Sequence, residues 1–152
     1  MKTKSFRTLS VLAVAIATIS SGANTAELEE VIVTAQKRAE SLQDVPVSLM
    51  AISGTKIAEA GLHSFQELSQ YVPNLSITEN AVNTIISMRG IGVGANQSFE
   101  QSVGVYVDGV HYGKSRQSRT ALYDVQQVEV LRGPQGILFG KNTLAGAINV
   151  TT

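Results

Sequence analysis

The spacing of apolar positions changes several times along this chain, and each change marks a segment. Leu9 to Ile19 is an almost unbroken apolar run, shorter than the ~20 residues a helix needs to span a bilayer. Lys2, Lys4 and Arg7 precede it, and the small residues Ser20, Ser21, Gly22 and Ala23 follow. That order of basic, apolar and small is the order of a secretory signal, so residues 1–26 read as a signal peptide. Ser21 and Ala23 fit the small-x-small cleavage rule and Ala26 offers a second end, which starts the mature chain near Asn24 or Glu27.

A short β-prone run, Val31-Ile32-Val33-Thr34, then sits between Glu29-Glu30 and Lys37-Arg38. It has no obvious strand partner in its own chain, so it suits addition to the exposed sheet edge of another protein; it equally suits the first strand of the domain.

From Val45 the pattern becomes that of a folded domain. Val45, Val47, Leu49 and Ala51 alternate with Pro46, Ser48 and Met50, which predicts a half-buried strand. Ser53 to Ala60 predicts a short helix stopped by Gly61. Ser64-Phe65-Gln66-Glu67 has the form of a capping box, and Phe65, Leu68, Tyr71 and Val72 recur at three to four residues before Pro73, which predicts a second helix. Leu75 and Ile77 predict a strand and Thr84 to Arg89 another, ending at Gly90. Val103 to Val107 and Val110 to Tyr112 flank Asp108-Gly109, a strong signal for a two-residue hairpin turn. Val128 to Leu131 is strand-like, Gly133-Pro134 is a turn, and Ala147 to Thr151 closes the pattern with a last strand. Short strands interleaved with short helices make the fold class α+β: a small mixed sheet with short helices and Gly-rich loops.

Composition narrows this further. The chain has 152 residues, room for one domain, with 43% hydrophobic content but only 5% aromatic residues and 13 Gly, which predicts a thin core with many turns. The absence of Cys excludes a disulfide framework and a thiolate site. Without Lys2, Lys4 and Arg7, nine basic residues face twelve acidic ones, a net charge of −3. Nucleic acid is thereby set aside as a partner, since its binding needs a concentrated basic surface.

Three catalytic or cofactor patterns fail on their details. Gly90-Ile91-Gly92-Val93-Gly94-Ala95 matches the dinucleotide fingerprint, but Asn96 to Ser102 carries no apolar stripe for the helix that must follow. Gly136 to Thr143 departs from a phosphate loop at Gln135 and Asn142. His63 and His111 begin no ligand spacing, and no nucleophile elbow exists. The reading is therefore no enzyme, no cofactor and no metal.

The tail from Asp124 to Thr152 is the most informative segment. Val128-Glu129-Val130-Leu131-Arg132-Gly133-Pro134, then Leu138-Phe139-Gly140, then Ala145-Gly146-Ala147-Ile148-Asn149, closely resembles the end of the plug in TonB-dependent outer-membrane receptors, with its "IEVLRGP", "LYG" and "GGxIN" signatures. Ile86-Ser87-Met88-Arg89-Gly90 is similar to the family's "IRG" strand and loop, Val105-Tyr106-Val107-Asp108-Gly109-Val110 to its "YVDGV" hairpin, and Glu30-Val31-Ile32-Val33-Thr34-Ala35 to its TonB box. The departures are Phe139 for the usual Tyr and Val128 for the usual Ile.

The resemblance implies a division into signal peptide (1–26), TonB box and linker (27–43) and plug domain (44–152), with the chain ending where the family's β-barrel would start. It implies that Glu30, Val31, Ile32, Val33, Thr34 and Ala35 bind the TonB C-terminal domain, and that Arg89 and Arg132 meet carboxylates of an outer-membrane barrel. The loop from Ile91 to Gln101, with Gly92, Gly94, Asn96 and Gln97, would face a small nutrient ligand, an iron–siderophore complex ahead of cobalamin or an oligosaccharide. Such a plug sits in the outer membrane as part of a full receptor and in the periplasm if alone. The alternative is a soluble periplasmic protein that binds TonB without transporting anything.

Overall fold

In the computed structural model, residues 31–34, 36–94, 100–119 and 121–152 are described. The signal peptide, and Glu30, Ala35, Asn96 and Gln97 of the candidate sites, lie outside the described residues.

A five-stranded sheet organises the domain. Its strands are β3 (Leu49–Ser53), β7 (Val103–Val107), β8 (Val110–His111), β9 (Gln127–Arg132) and β10 (Gly146–Thr151), in the order β3-β9-β10-β7-β8. All pairings are antiparallel except β10 with β7, which is parallel, Ile148 standing opposite Val105. The strand foreseen from Val45 begins only at Leu49. Pro46 has no N–H to give a ladder, and the pairing with β9 starts where Leu49 meets Leu131.

Two helices follow β3. The first, α1 (Gly54–Glu59), starts at Ser53, whose hydroxyl accepts from the Lys56 amide, and ends through Gly61 at φ +64°. The second, α2 (Phe65–Tyr71), has the foreseen capping box in a shifted form. Ser64 Oγ accepts from the Glu67 amide at 3.3 Å, while the Glu67 carboxylate accepts from the His63 amide at 2.6 Å. Pro73 disfavours helix at Val72, which is extended.

A second sheet, β4 (Leu75–Glu79), β5 (Thr84–Met88) and β6 (Ile91–Gly92), is antiparallel throughout. Its last strand is a correction to the sequence reading, which ran the loop from Ile91. Arg89 and Gly90, at φ +54° and +78°, form a two-residue turn that folds Ile91–Gly92 back onto Ser87–Met88. The Asp108-Gly109 turn has the same character, at +48° and +80°, as foreseen. A short helix, α3 (Gly136–Phe139), follows the Gly133-Pro134 turn, where the sequence reading placed no element.

Strand alternation divides the five-stranded sheet into two faces. Ile52, Val103, Val105, Val128, Val130, Ile148 and Val150 join Ile57, Phe65, Leu68, Ile77 and Ile86 in the main core, so α1, α2 and the second sheet share that face. The opposite face carries a smaller cluster of Tyr106, Leu131 and Ala147, with Leu49 and Phe139 against it. Beside this cluster on the same face lies Glu129, only 1% exposed.

Candidate functional site

Three places concentrate the candidate residues. The first is the N-terminal segment. Ile32–Val33 forms strand β1 and pairs antiparallel with Glu40–Ser41, strand β2, so the segment does have a partner in its own chain. That corrects the sequence expectation: the partner is a two-residue strand in a polar stretch that carries no apolar alternation. The hairpin is closed by the Leu42 amide on the Val31 carbonyl, 2.9 Å, and the Lys37 amide on the Thr34 carbonyl, 2.8 Å. Val33 is fully buried, whereas Ile32 remains 56% exposed.

The segment also reaches the second face of the main sheet. The Thr34 amide donates to Glu129 Oε1 at 2.5 Å and its hydroxyl to the same oxygen at 3.3 Å. Gln127 Nε2 donates both to the Ile32 carbonyl, 3.1 Å, and to Glu129 Oε1, 3.0 Å. Asn149 Nδ2 completes the set on Glu129 Oε2 at 2.9 Å. Beside this contact a cavity of about 340 Å³ opens between Thr34, Lys37, Tyr106, Asp108, Phe139 and Asn149. Tyr106 anchors its wall: its hydroxyl donates to the Phe139 carbonyl, its ring stacks on His111 at 5.0 Å, and burial raises its pKa. Asp108 accepts from the amide and hydroxyl of Thr152, which lower its pKa.

The second place is the arginine pair. Arg132 ends β9, half-buried, with Nε buried and unpaired and one terminal nitrogen 3.7 Å from Met50 Sδ. Arg89 sits in its turn, exposed, with a guanidinium nitrogen 3.8 Å from the space a side chain on Gly133 would fill. The Arg89 guanidinium thus lies beside the turn that follows Arg132. Among the described residues neither forms an ion pair; the pairs there are Arg38 with Glu40 and Lys141 with Glu100.

The third place is the rim around the loop foreseen as ligand-facing. Gly92 lies in β6 and Gly94 is exposed just beyond it. The far end of the loop is fixed by Gln101, 8% exposed, whose Nε2 donates to the Thr84 carbonyl while its Oε1 is unpaired. A concavity of about 550 Å³ here is lined by Val93, Glu100, Gln101, Lys114, Lys141 and Leu144. Glu100 accepts from the Asn142 amide at 2.6 Å and pairs with Lys141 at 3.3 Å, and these lower its pKa in that order.

Sequence reasoning named the N-terminal segment and the arginines as candidates but did not name Gln127, Glu129 or Asn149, which the fold brings to that segment. A signal was present: Glu129 has the phase of Leu131, so an acid shares a face with a core leucine. His63 and His111 are exposed; among the described residues no group of His, Cys, Asp and Glu could hold a metal. Among them also, no helix is long and apolar enough to cross a membrane.

Comparison with known proteins agrees with this geometry. The family model described as TonB-dependent Receptor Plug Domain matches residues 41–147. The pesticin receptor of Yersinia pestis is 38% identical over 136 residues, which cover 86% of this chain and 20% of the receptor. The vitamin B12 transporter BtuB of Vibrio vulnificus is 28% identical over 152 residues, 94% of this chain and 25% of the transporter. Among solved structures, the ferric yersiniabactin uptake receptor FyuA of Yersinia pestis superposes with a TM-score of 0.61 at 40% identity, covering 70% of this chain and 17% of the receptor. The ferripyoverdine receptor of Pseudomonas aeruginosa, at 16% identity and a TM-score of 0.64 over 80% of this chain and 16% of its own, shares the fold. The chain spans about a fifth of the length of the curated relatives it matches first.

Proposed function

Because this chain belongs to the TonB-dependent receptor plug domain family, we propose that it gates the energy-dependent uptake of a scarce nutrient across the outer membrane, with an iron–siderophore complex as the nutrient. The observation that carries the reading is the likeness over most of the chain to the pesticin receptor and to the ferric yersiniabactin uptake receptor, at 38% and 40% identity. Residues 1–26 direct export. Glu30 to Ala35 bind the C-terminal domain of TonB by strand addition, in which main-chain hydrogen bonds give affinity and alternating side chains give specificity. The exposure of Val31 and Ile32 supports this, because one side of the segment stays open in the folded domain.

Arg89 and Arg132 form the contact with the barrel. The nearness of Arg89 to the turn after Arg132 and the lack of an ion pair on either among the described residues support an acceptor on another part of a receptor. The loop between β6 and Gln101, with Gly92, Gly94, Asn96 and Gln97, faces the ligand, and the polar rim of Glu100, Lys114 and Lys141 supports an oxygen-rich, charged cargo.

The test is a chimera. This chain replaces the plug of the yersiniabactin receptor, and uptake of the iron-loaded siderophore is measured in a receptor-deficient strain. Uptake that requires TonB and is lost with Ile32→Pro supports the reading. Uptake indifferent to TonB removes the gating role, and no uptake despite an assembled chimera removes this ligand class.

A further inference from the structure

The tip of the β4–β5 hairpin is held by side chains from outside it. Thr84 opens β5 and is fully buried. Its carbonyl accepts from Gln101 Nε2 at 3.1 Å, and its hydroxyl accepts from Arg119 Nε at 3.0 Å. The same guanidinium donates through Nη2 to the Asn80 carbonyl. Arg119 closes a single 3-10 turn, Gln117–Arg119, and residues just before it bind the same tip. Arg116 Nε donates to the Val82 carbonyl at 3.2 Å, and the Ser115 hydroxyl to Asn83 Oδ1 at 3.3 Å. Within the tip, Asn80 Oδ1 accepts from the amides of Val82 and Asn83.

Two of the segments joined here reach the concavity of the polar rim. Gln101 and Lys114 both line it. Gln101 is tied to Thr84 directly. Lys114 is tied to it through the turn that it begins, in which the Lys114 amide donates to Gln117 Oε1 and the Gln117 amide to the Lys114 carbonyl, both at 2.9 Å. We propose that Arg119 is a positioning residue for that rim: its two-pronged hold on Thr84 and Asn80 fixes the 114–119 turn against the β4–β5 tip, so that Gln101 and Lys114 stand at a set separation before a ligand arrives. A planar guanidinium donates from Nε and Nη2 to two acceptors at once, whereas a lysine ammonium carries the same charge on a flexible stem without the fork. A rim formed in advance spares the ordering cost of binding. This inference rests on the reading of the loop between β6 and Gln101 as ligand-facing.

Charge and fork are separable by substitution. Arg119→Lys keeps the charge and loses the fork; Thr84→Val removes the hydroxyl acceptor with little change of shape and leaves Arg119 in place. Hydrogen exchange of the Val82 and Asn83 amides and of the Gln101 side-chain amide is followed by nuclear magnetic resonance in the chain, in both variants and in the double variant. Ala147 to Asn149 in β10 are the reference for intact folding. The same substitutions are made in the yersiniabactin-receptor chimera, and equilibrium binding of the iron-loaded siderophore is titrated. The expected result is exchange at the tip and at Gln101 accelerated about three- to tenfold in each variant, the scale of one net hydrogen bond, with β10 unchanged and siderophore binding weakened by a similar factor. The double variant does no worse than Arg119→Lys alone, because both substitutions remove the bond to Thr84.

Arg119→Lys binding the siderophore as tightly as the parent overturns the positioning role, since charge alone then suffices. Unchanged exchange at the tip and at Gln101 in the folded variants overturns it as well, and additive losses overturn the shared hold at Thr84. Should Thr84→Val disturb β10, Arg119→Lys, at an exposed residue, decides by the same criteria. A parent chimera that assembles but binds no siderophore removes the ligand reading, and exchange at Gln101 then decides whether Arg119 sets the rim.

Discussion

Replacing Gly146 by Ala tests how tightly the sheet closes over the second strand pair. Gly146 opens β10 opposite Arg132 of β9 and Val103 of β7. A Cβ there would lie 2.3 Å from the Leu131 carbonyl oxygen and 2.4 Å from Met88 Sδ. Ordinary contacts of this kind are about 3.5–4.0 Å, so the neighbours would have to retreat by roughly 1 Å or more. Neither can do so easily. The Leu131 oxygen belongs to a strand paired on both sides, and Met88 is fully buried in the core.

Overpacking of this type typically costs 1–3 kcal/mol, and the rigid backbone neighbour places Gly146→Ala at about 3 kcal/mol. With a urea m-value of about 1–3 kcal/mol/M, the midpoint should fall by about 1–3 M. The control is Gly136→Ala in α3, where nothing lies within 4 Å of the added methyl; it should be neutral or stabilise by up to about 1 kcal/mol through the unfolded chain. Both are read by urea unfolding with circular dichroism. A Gly146→Ala loss below about 1 kcal/mol would refute the reasoning, because β10 would then be free to move away from β9. A loss matched by Gly136→Ala would show that the effect is not steric.

Other outcomes follow from single contacts. Ile32→Pro removes an N–H and fixes φ, so a 27–37 peptide carrying it should bind a TonB C-terminal domain at least about tenfold more weakly, by roughly 1.4 kcal/mol; equal binding in a calorimetric titration would exclude strand addition. Ser64→Ala deletes the acceptor for the Glu67 amide and should cost about 1 kcal/mol of stability by urea titration. Asp108, held below the usual carboxylate range by the Thr152 amide and hydroxyl, binds protons less readily folded than unfolded. Its contribution is therefore present above the unfolded value of about 3.9 and lost as pH falls through the lower folded value. The Asp108 carboxyl signal in a nuclear magnetic resonance titration should show a midpoint below that of an unconstrained aspartate in a short peptide, and an ordinary midpoint would show that the Thr152 contact does not persist in solution.

Local chemistry made most of the elements legible in the sequence. Ser64 with Glu67, Asp108 with Gly109, and Gly61 after Ala60 each act within a few residues, so their helices and turns appear where they were expected. What failed depended on distance. The start of β3 was set by its meeting with β9 some eighty positions later and by the missing N–H of Pro46. The Arg89-Gly90 turn needed a non-Gly residue at positive φ, which composition disfavours. At the candidate site, Val31 to Thr34 and the two arginines could be named from the chain alone, but not their neighbours: Glu129 is 95 positions from Thr34, and only the folded sheet brings them into contact.

The parallel pairing of β10 with β7 has a consequence for the order in which the molecule assembles. The strand of this sheet that comes latest in the sequence lies in its middle, between β9 and β7, so until Gly146–Thr151 is present, β3 and β9 have no connection to β7 and β8 through the backbone ladder. Closing such distant pairs requires ordering the intervening chain first, which slows folding. During synthesis everything up to Ala145 therefore lacks the strand that joins the two halves of the sheet. Joining the two halves of the main sheet therefore waits for Gly146–Thr151 to insert between β9 and β7, whichever half orders first.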